Sequence, residues 1–530
     1  MRVLLSGNEA VARGAYEAGA GIATGYPGTP SSEIIATLVE KYADVVCEWS
    51  VNEKVALEVA IGASLKGVRS LVTMKHVGLN VAADPLMTLA FTGVNAGLVI
   101  AVADDPGMHS SQNEQDSRHW GKFGFLPILE PSDSQEAKDF VRLGFEISER
   151  FEVPLILRLV TRVSHTRTPV WCDEPPSQMP LFSYQKDIRK YVMAPANAIH
   201  RHPLAVERFQ KLREFSETFS GNIVDSQEMN RRVGILTHGL VYHHVKEVFP
   251  DVPVMKIGMY PLPVKKIQDF ASSVEELWVV EELDPLIEEE VRSLGISVRR
   301  GKGEIPWCGE LTPDVLRKAF GLPVEISCLV EEKLPARPPK MCQGCSHIPV
   351  FEVLRDMELT VWGDIGCYTL GAFTPYSAMD TCICMGAGAG VEAGFKKAAM
   401  RQGEHVRSVG VVGDSTFFHS AMTHVVNAVY NKIPMKLLVL DNHITAMTGH
   451  QPNPASRVNA YAQTTPYVDI EKVVRGLGVE RVVKVSAYDR ERLKAVIEEE
   501  LIAEGPSVII VDGVCVIAQP KLNKLWNRGG

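Results

Sequence analysis

From residue 1 to about 168, short apolar runs alternate with longer amphipathic stretches, the two periods of strand and helix. Residues 3–5, 21–26, 45–49, 70–74 and 97–103 read as strands, and 9–20, 31–42 and 52–66 as helices. Strands and helices in this order predict a parallel sheet with helices on both faces. Between 169 and 230 the pattern gives way to Pro-containing and charged sequence, DEPPSQMPLF and then KLREF and SETFSG, which reads as a connector with one or two helices. A second α/β region follows at 231–335, with strands near 233–236, 254–257 and 277–281, and ends at the Pro-rich junction LPARPPK. A third α/β region covers 336–520, with candidate strands at 409–412, 436–440 and 507–511. The tail 521–530 is short, basic and expected to be peripheral. The fold class is therefore α/β, with two doubly wound domains flanking a smaller one.

Length and composition narrow the function. At roughly 150 residues per domain, 530 residues make three or four domains, too many for a small disulfide scaffold. Hydrophobic residues at 45% and charged residues at 22% are those of a globular chain. No run of 18 apolar residues predicts a membrane span, and Gly7, Asn8 and Glu9 interrupt the N-terminal apolar run before a signal sequence could form. A cytoplasmic location is expected. Fifty-five basic against 64 acidic residues, a formal charge of -9, and the lack of a long Lys/Arg run argue against nucleic acid as a partner.

The most informative segment is Gly413-Asp414-Ser415-Thr416, at the end of one apolar run, with Asn442 at the end of the next, 28 positions after Asp414. Both side chains should project from the carboxyl edge of one parallel sheet, where such folds bind ligands. A carboxylate, a carboxamide oxygen and a nearby backbone carbonyl make a hard-oxygen set suited to Mg²⁺ and a diphosphate. Gly-Asp-Ser is also a common strand-to-turn sequence, and the spaced Asn442 is what sharpens the reading. The arrangement resembles the thiamin diphosphate signature. That resemblance implies Asp414, Asn442 and the carbonyl of Ile444 as Mg²⁺ ligands, with Gly413 and Ser415 lining the diphosphate; Ser415 stands where many members have Gly.

Thiamin chemistry needs a buried carboxylate beside the aminopyrimidine, on a second domain facing the first. Glu53 is the candidate, opening a helix directly after the run 45–49, with Glu48 and Glu58 as weaker alternatives. A Glu in a first helical turn is also favoured by the macrodipole alone.

The chain as a whole resembles the large subunits of indolepyruvate ferredoxin oxidoreductases, within the 2-oxoacid:ferredoxin oxidoreductase superfamily. The matching pieces are GYPGTPSSEI at 25–34, EWSVNEKVALEVA at 48–60, LVTMKHVGLNVAADPL at 71–86, CQGCSH at 342–347, GDIGCYTLG at 363–371, GDSTFFHS at 413–420 and DNHITAMTGHQPNP at 441–454. The resemblance implies that Thr29 touches the 2-oxoacid, its hydroxyl donating without adding charge. Lys75 and His76 match positions near the pocket and could balance the substrate carboxylate; equally they read as a solvated Lys and a capping His.

Ten cysteines in a reducing compartment should be thiols or ligands. Cys342 and Cys345 form a C-x-x-C, followed by Cys367 and Cys515. The pair alone fits a redox dithiol, zinc or iron–sulfur, and two further Cys at strand ends favour a four-ligand site. The resemblance implies a [4Fe-4S] cluster on these four. Cys382 and Cys384 precede a Gly-rich turn and read as packing residues, while Cys47, Cys172, Cys308 and Cys328 are not spaced with the others. The family's large subunit usually continues into a ferredoxin-like tail, and this chain stops at Gly530 without one, so electrons are expected to leave to another protein. The expected activity is CoA-acylating oxidative decarboxylation of an arylpyruvate, with a small beta subunit and ferredoxin as partners and a dimer of heterodimers as assembly. Non-oxidative thiamin decarboxylation and a non-catalytic scaffold are the competing readings.

Overall fold

The computed structural model describes residues 1–225, 231–324 and 338–526. The chain divides into two compact units, Met1–Glu331 and Glu332–Gly530.

The first unit is built on a seven-stranded sheet. From one edge its strands are Met259–Tyr260, Ile128–Leu129, Leu155–Val160, Leu98–Asp104, Ser70–Lys75, Ile22–Gly25 and Val46–Trp49. All neighbours run parallel except Met259–Tyr260, which pairs antiparallel with Ile128–Leu129 and comes from the region expected to form the separate middle domain. The strands Ser70–Lys75, Leu98–Asp104 and Leu155–Val160 are buried at every position, because helices such as Glu53–Lys66 and Ser134–Phe151 cover the sheet. One expected member is elsewhere: Arg2–Ser6 pairs antiparallel with Arg167–Trp171 as a two-stranded ribbon, since its partly exposed pattern does not suit a core position.

Residues 223–225 and 233–280 add a four-stranded sheet in the order Glu276–Val280, Val233–His238, Val254–Ile257, Ile223–Asp225. Its last strand, antiparallel, comes from the end of the expected connector, whose other main feature is the 22-residue helix Pro195–Ser216.

The second unit carries a wholly parallel six-stranded sheet. Its order is Thr381–Cys382, Thr360–Gly363, Ser408–Gly413, Lys436–Asp441, Ser507–Asp512, Arg481–Ser486. Val411, Leu438, Leu440, Ile509 and Val511 enter the core on one face, and Val412, Leu437, Val439, Val508 and Ile510 the core on the other. This period-two division of continuous apolar runs is what a doubly covered strand requires. Of the tail expected to be peripheral, the described part 521–526 packs instead on the second unit: within helix Gln519–Trp526, Leu522 is buried and Trp526 Nε1 donates to the Ser456 carbonyl at 2.9 Å. Two large apolar side chains in a short basic segment outweigh its charge. No described helix is long and apolar enough to cross a membrane.

Candidate functional site

In the second unit the strands Ser408–Gly413 and Lys436–Asp441 are parallel neighbours, so Asp414 and Asn442 leave the same sheet edge side by side. Both are buried. Burial, then the nearby Asp441 carboxylate, pushes the Asp414 carboxyl up to about 7. Asn453 Nδ2 donates to Asp414 Oδ2 at 3.0 Å, and among the described residues no Lys or Arg pairs with this acid. A buried carboxylate met by hydrogen-bond donors and the His443 ring rather than by a Lys or Arg suits a divalent cation.

The Asn442 side chain is held between His347 Nε2, 3.3 Å from its Nδ2, and the Ile444 N–H, 3.2 Å from its Oδ1. His443, between the two expected ligands, adopts φ +62, and its Nε2 lies 2.9 Å from Asp512 Oδ1. Ser415 Oγ accepts from Thr445 Oγ1 at 2.9 Å. Residues 417–421 wind as a single π-helical turn directly after the Asp414 segment, a distortion frequent at functional sites. Gly413 is required: a Cβ there would meet Tyr368 Cε1 at 2.9 Å. The Tyr368 hydroxyl accepts the Gly413 N–H at 2.9 Å.

The four cysteines gather near this edge. Cys367 feels the charges of Cys345, Cys515 and Cys342, and burial first, then these neighbours, pushes its thiol up to about 11. Cys345 is raised the same way, by burial and then by Cys342 and Cys515, with backbone N–H groups opposing. Among the described residues no three of these sulfurs lie within 4.8 Å of one another, whereas tetrahedral zinc would draw four to about 3.8 Å apart. Cys382 and Cys384 correct the expectation of packing residues: both are exposed, because they lie on and just after the two-residue edge strand Thr381–Cys382. Cys47 and Cys172 are buried, Cys308 is exposed, and Cys328 lies outside the described residues.

In the first unit, Glu53 opens helix Glu53–Lys66 behind the N-cap Asn52, whose side chain accepts the Val55 N–H. It is buried, whereas Glu48 and Glu58 are exposed. Its carboxyl sits against Gly78, where a Cβ would come within 2.6 Å of Oε1 and 2.7 Å of Cγ. Lys75 is also buried, not solvated, and burial lowers its ammonium to about 8, with Asp105 and Glu53 opposing. His76 is fully buried, and its Nε2 lies 3.1 Å from the Asn113 carbonyl. Thr29 is half-buried in the turn before helix Ser32–Lys41.

One loop, 105–116, gathers three of these residues. Lys75 Nζ donates to the Ser110 carbonyl at 3.0 Å, Ser110 Oγ donates to the Thr29 carbonyl at 3.2 Å, and Asn113 holds His76. The Asp104 carboxylate closes the loop at its base by accepting from Ser117, 3.0 Å from its N–H. Asp105 braces it inside, accepting from Ser110 N–H at 2.8 Å, Ser111 Oγ at 2.7 Å and Thr161 Oγ1 at 2.6 Å. Sequence reasoning missed Ser110, Asn113, Gly78, His347, Tyr368 and Asn453. His347, Tyr368 and Asn453 stand inside the motif segments quoted above, so their neighbours were the available signal; Ser110 and Asn113 had none.

Two family models match the chain. The one described as pyruvate flavodoxin/ferredoxin oxidoreductase, thiamine diphosphate-binding, covers residues 13–220, and the thiamine pyrophosphate enzyme C-terminal TPP-binding domain covers residues 364–511. The indolepyruvate oxidoreductase subunit IorA of Archaeoglobus fulgidus is 40% identical over 558 residues, 99% of this chain and 87% of that protein. Its namesake in Methanothermobacter thermautotrophicus is 41% identical over 545 residues, 98% of this chain and 87% of that protein. The solved 2-oxoglutarate:ferredoxin oxidoreductase of Magnetococcus marinus, with 2-oxoglutarate, coenzyme A and succinyl-CoA bound, has a TM-score of 0.50 at 15% identity, covering 60% of this chain and 65% of its own. That last likeness is one of fold.

Proposed function

Since the chain belongs to the indolepyruvate oxidoreductase subunit IorA family, thiamine-diphosphate-dependent 2-oxoacid:ferredoxin oxidoreductases, we propose that its substrate is an arylpyruvate and that electrons leave through an iron–sulfur cluster. The observation that carries the cofactor part of this reading is the buried Asp414 and Asn442 at one sheet edge, with Cys515 donating its N–H to the Asn442 carbonyl at 3.1 Å; the arylpyruvate rests on the relatives being indolepyruvate oxidoreductase subunits. The reaction balances as arylpyruvate anion plus CoA thiol giving acyl-CoA, CO₂, one proton and two electrons.

Thiamin diphosphate supplies, when bound, a carbon nucleophile that also accepts the electron pair left by CO₂. A [4Fe-4S] cluster on Cys342, Cys345, Cys367 and Cys515 would take electrons one at a time. The residues of the chain do the rest. Asp414, Asn442 and the Ile444 carbonyl would hold Mg²⁺, and Gly413 and Ser415 would border the diphosphate. The buried Glu53 carboxyl would hold or give up the proton that an aminopyrimidine beside it needs. Lys75 faces the substrate carboxylate as a cation, and Thr29 donates its hydroxyl. His76, fully buried and held through Nε2 against a carbonyl, orients the start of its helix. A small beta subunit, ferredoxin and assembly as a dimer of heterodimers complete the proposal, with segments 1–168, 231–335 and 336–520 as its functional domains in a cytoplasmic enzyme.

Iron, acid-labile sulfide and thiamin in anaerobically purified protein test the cofactors, and arylpyruvate-dependent reduction of a low-potential acceptor with CoA and the partner subunit tests the reaction. One cluster and one thiamin diphosphate per chain with such reduction are expected. Thiamin without iron, and aldehyde released without CoA, would instead establish the non-oxidative decarboxylase.

A further inference from the structure

Three of the four cysteines are tied to the segments of Gly413 and Asn442 by hydrogen bonds made by their own backbone or by a residue one or two positions away. Tyr368, adjacent to Cys367, accepts the Gly413 N–H at 2.9 Å and donates to the Ile365 carbonyl at 3.0 Å. His347, two residues after Cys345, takes the Asn442 Nδ2 donor at 3.3 Å. The Cys515 N–H itself donates to the Asn442 carbonyl at 3.1 Å. The Tyr368 and His347 rings meet edge to face at 5.7 Å and both side chains are buried, so the two links brace each other. The Gly413 backbone lies so close to the Tyr368 ring that there is no room between them for a Cβ.

We propose that Tyr368 and His347 are positioning residues that couple the four-cysteine site to the diphosphate turn, so that filling either site tightens the other. The proposal rests on the cofactor reading above. Its physical basis is that a metal or cluster on the sulfurs fixes the segments carrying Cys345, Cys367 and Cys515, and these segments hold Gly413 and Asn442. Ordering paid for by one ligand is not paid again by the next, and by linkage the effect is reciprocal.

The test compares Mg²⁺–thiamin diphosphate affinity, by calorimetry on the full chain, with and without the cluster assembled from iron and sulfide. Loading should tighten binding about ten-fold, within the usual range for coupled sites. Tyr368→Phe keeps the ring and removes the hydroxyl; His347→Phe keeps the edge-to-face contact and removes the nitrogen. In each variant the loaded-to-unloaded affinity ratio should fall toward one, while iron and sulfide content stay at the wild-type level. A wild-type ratio of one with the cluster in place overturns the coupling and leaves the cofactor reading intact. Variants that weaken binding equally in both forms overturn it too, because the residues would then be merely structural. A chain that takes up neither iron and sulfide nor Zn²⁺ at these thiols overturns both readings.

Discussion

Glu53 depends on a neighbour with no side chain. Gly78 leaves room for the carboxyl, and a methyl group there would sit 2.6 Å from Oε1. Gly78→Ala should therefore displace Glu53 and lower kcat roughly 100-fold, the low end of what a general acid–base contributes, with calorimetric Mg²⁺–thiamin diphosphate affinity nearly unchanged. Lys75 gives a pH dependence of definite sign. Its pKa of about 8 makes it a cation below that pH and neutral above, so kcat/KM for the 2-oxoacid should fall as pH rises through about 8. In Lys75→Arg, charged throughout, that limb should disappear from the pH profile. That Glu53 opens a helix was legible in the sequence; its burial beside Gly78, against the exposure of Glu48 and Glu58, was not, because burial depends on a helix some 25 residues away in sequence.

At the scale of elements, the loop 105–116 shows how local sequence and distant contact divide the work. Asp105 accepts from Ser110, Ser111 and Thr161. Burial opposes its ionised form, yet these hydrogen bonds, with Lys75 nearby, hold its pKa below the ordinary value. A depressed carboxylate stabilises the fold above its unfolded pKa and loses that contribution as pH falls through the folded one, so the loop should loosen only in acid. Asp105→Ala should remove the brace at neutral pH. Amide hydrogen exchange across 107–116 should then accelerate and KM for the 2-oxoacid rise several-fold, since Lys75, Thr29 and His76 lose a common support. Helices and buried strands were legible because their periods are local. The pairing of Arg2–Ser6 with Arg167–Trp171 was not, as it joins residues more than 160 positions apart.

Across the first unit as a whole, a buried charge network ties the seven-stranded sheet to the four-stranded one. Arg158 bonds Asp104 at 2.7 Å and also binds Glu130, which lies 2.7 Å from His238 Nδ1. Arg118 pairs with Asp116 and, at 2.8 Å, with Glu281, and donates to the carbonyls of Glu282 and Asp284. Burial, then Glu130 and Asp104, acts on Arg158, and the acids win, raising it well above its ordinary value. Removing one cation strands buried carboxylates, which costs about 3–5 kcal/mol. Arg118→Met should lose that much stability in denaturant titrations, and Arg118→Met with Glu281→Gln less than the sum of the two single changes, because they share one interaction.

By itself the sequence determined the α/β class, most strands and helices, and which residue types stand at and near the strand ends, Asp414, Asn442 and the four cysteines among them. Only the tertiary structure decided that Tyr368 and His347 stand between those two sets, that Cys382 and Cys384 face outward, that one loop supports Lys75, Thr29 and His76, and that Arg118 and Arg158 join two sheets. The reason is physical. Periodicity and turn chemistry act over a few residues and can be read in order, whereas burial, hydrogen-bond partnership and the pairing of charges are set by groups distant in the chain, and their free energies exist only once the fold has brought those groups together.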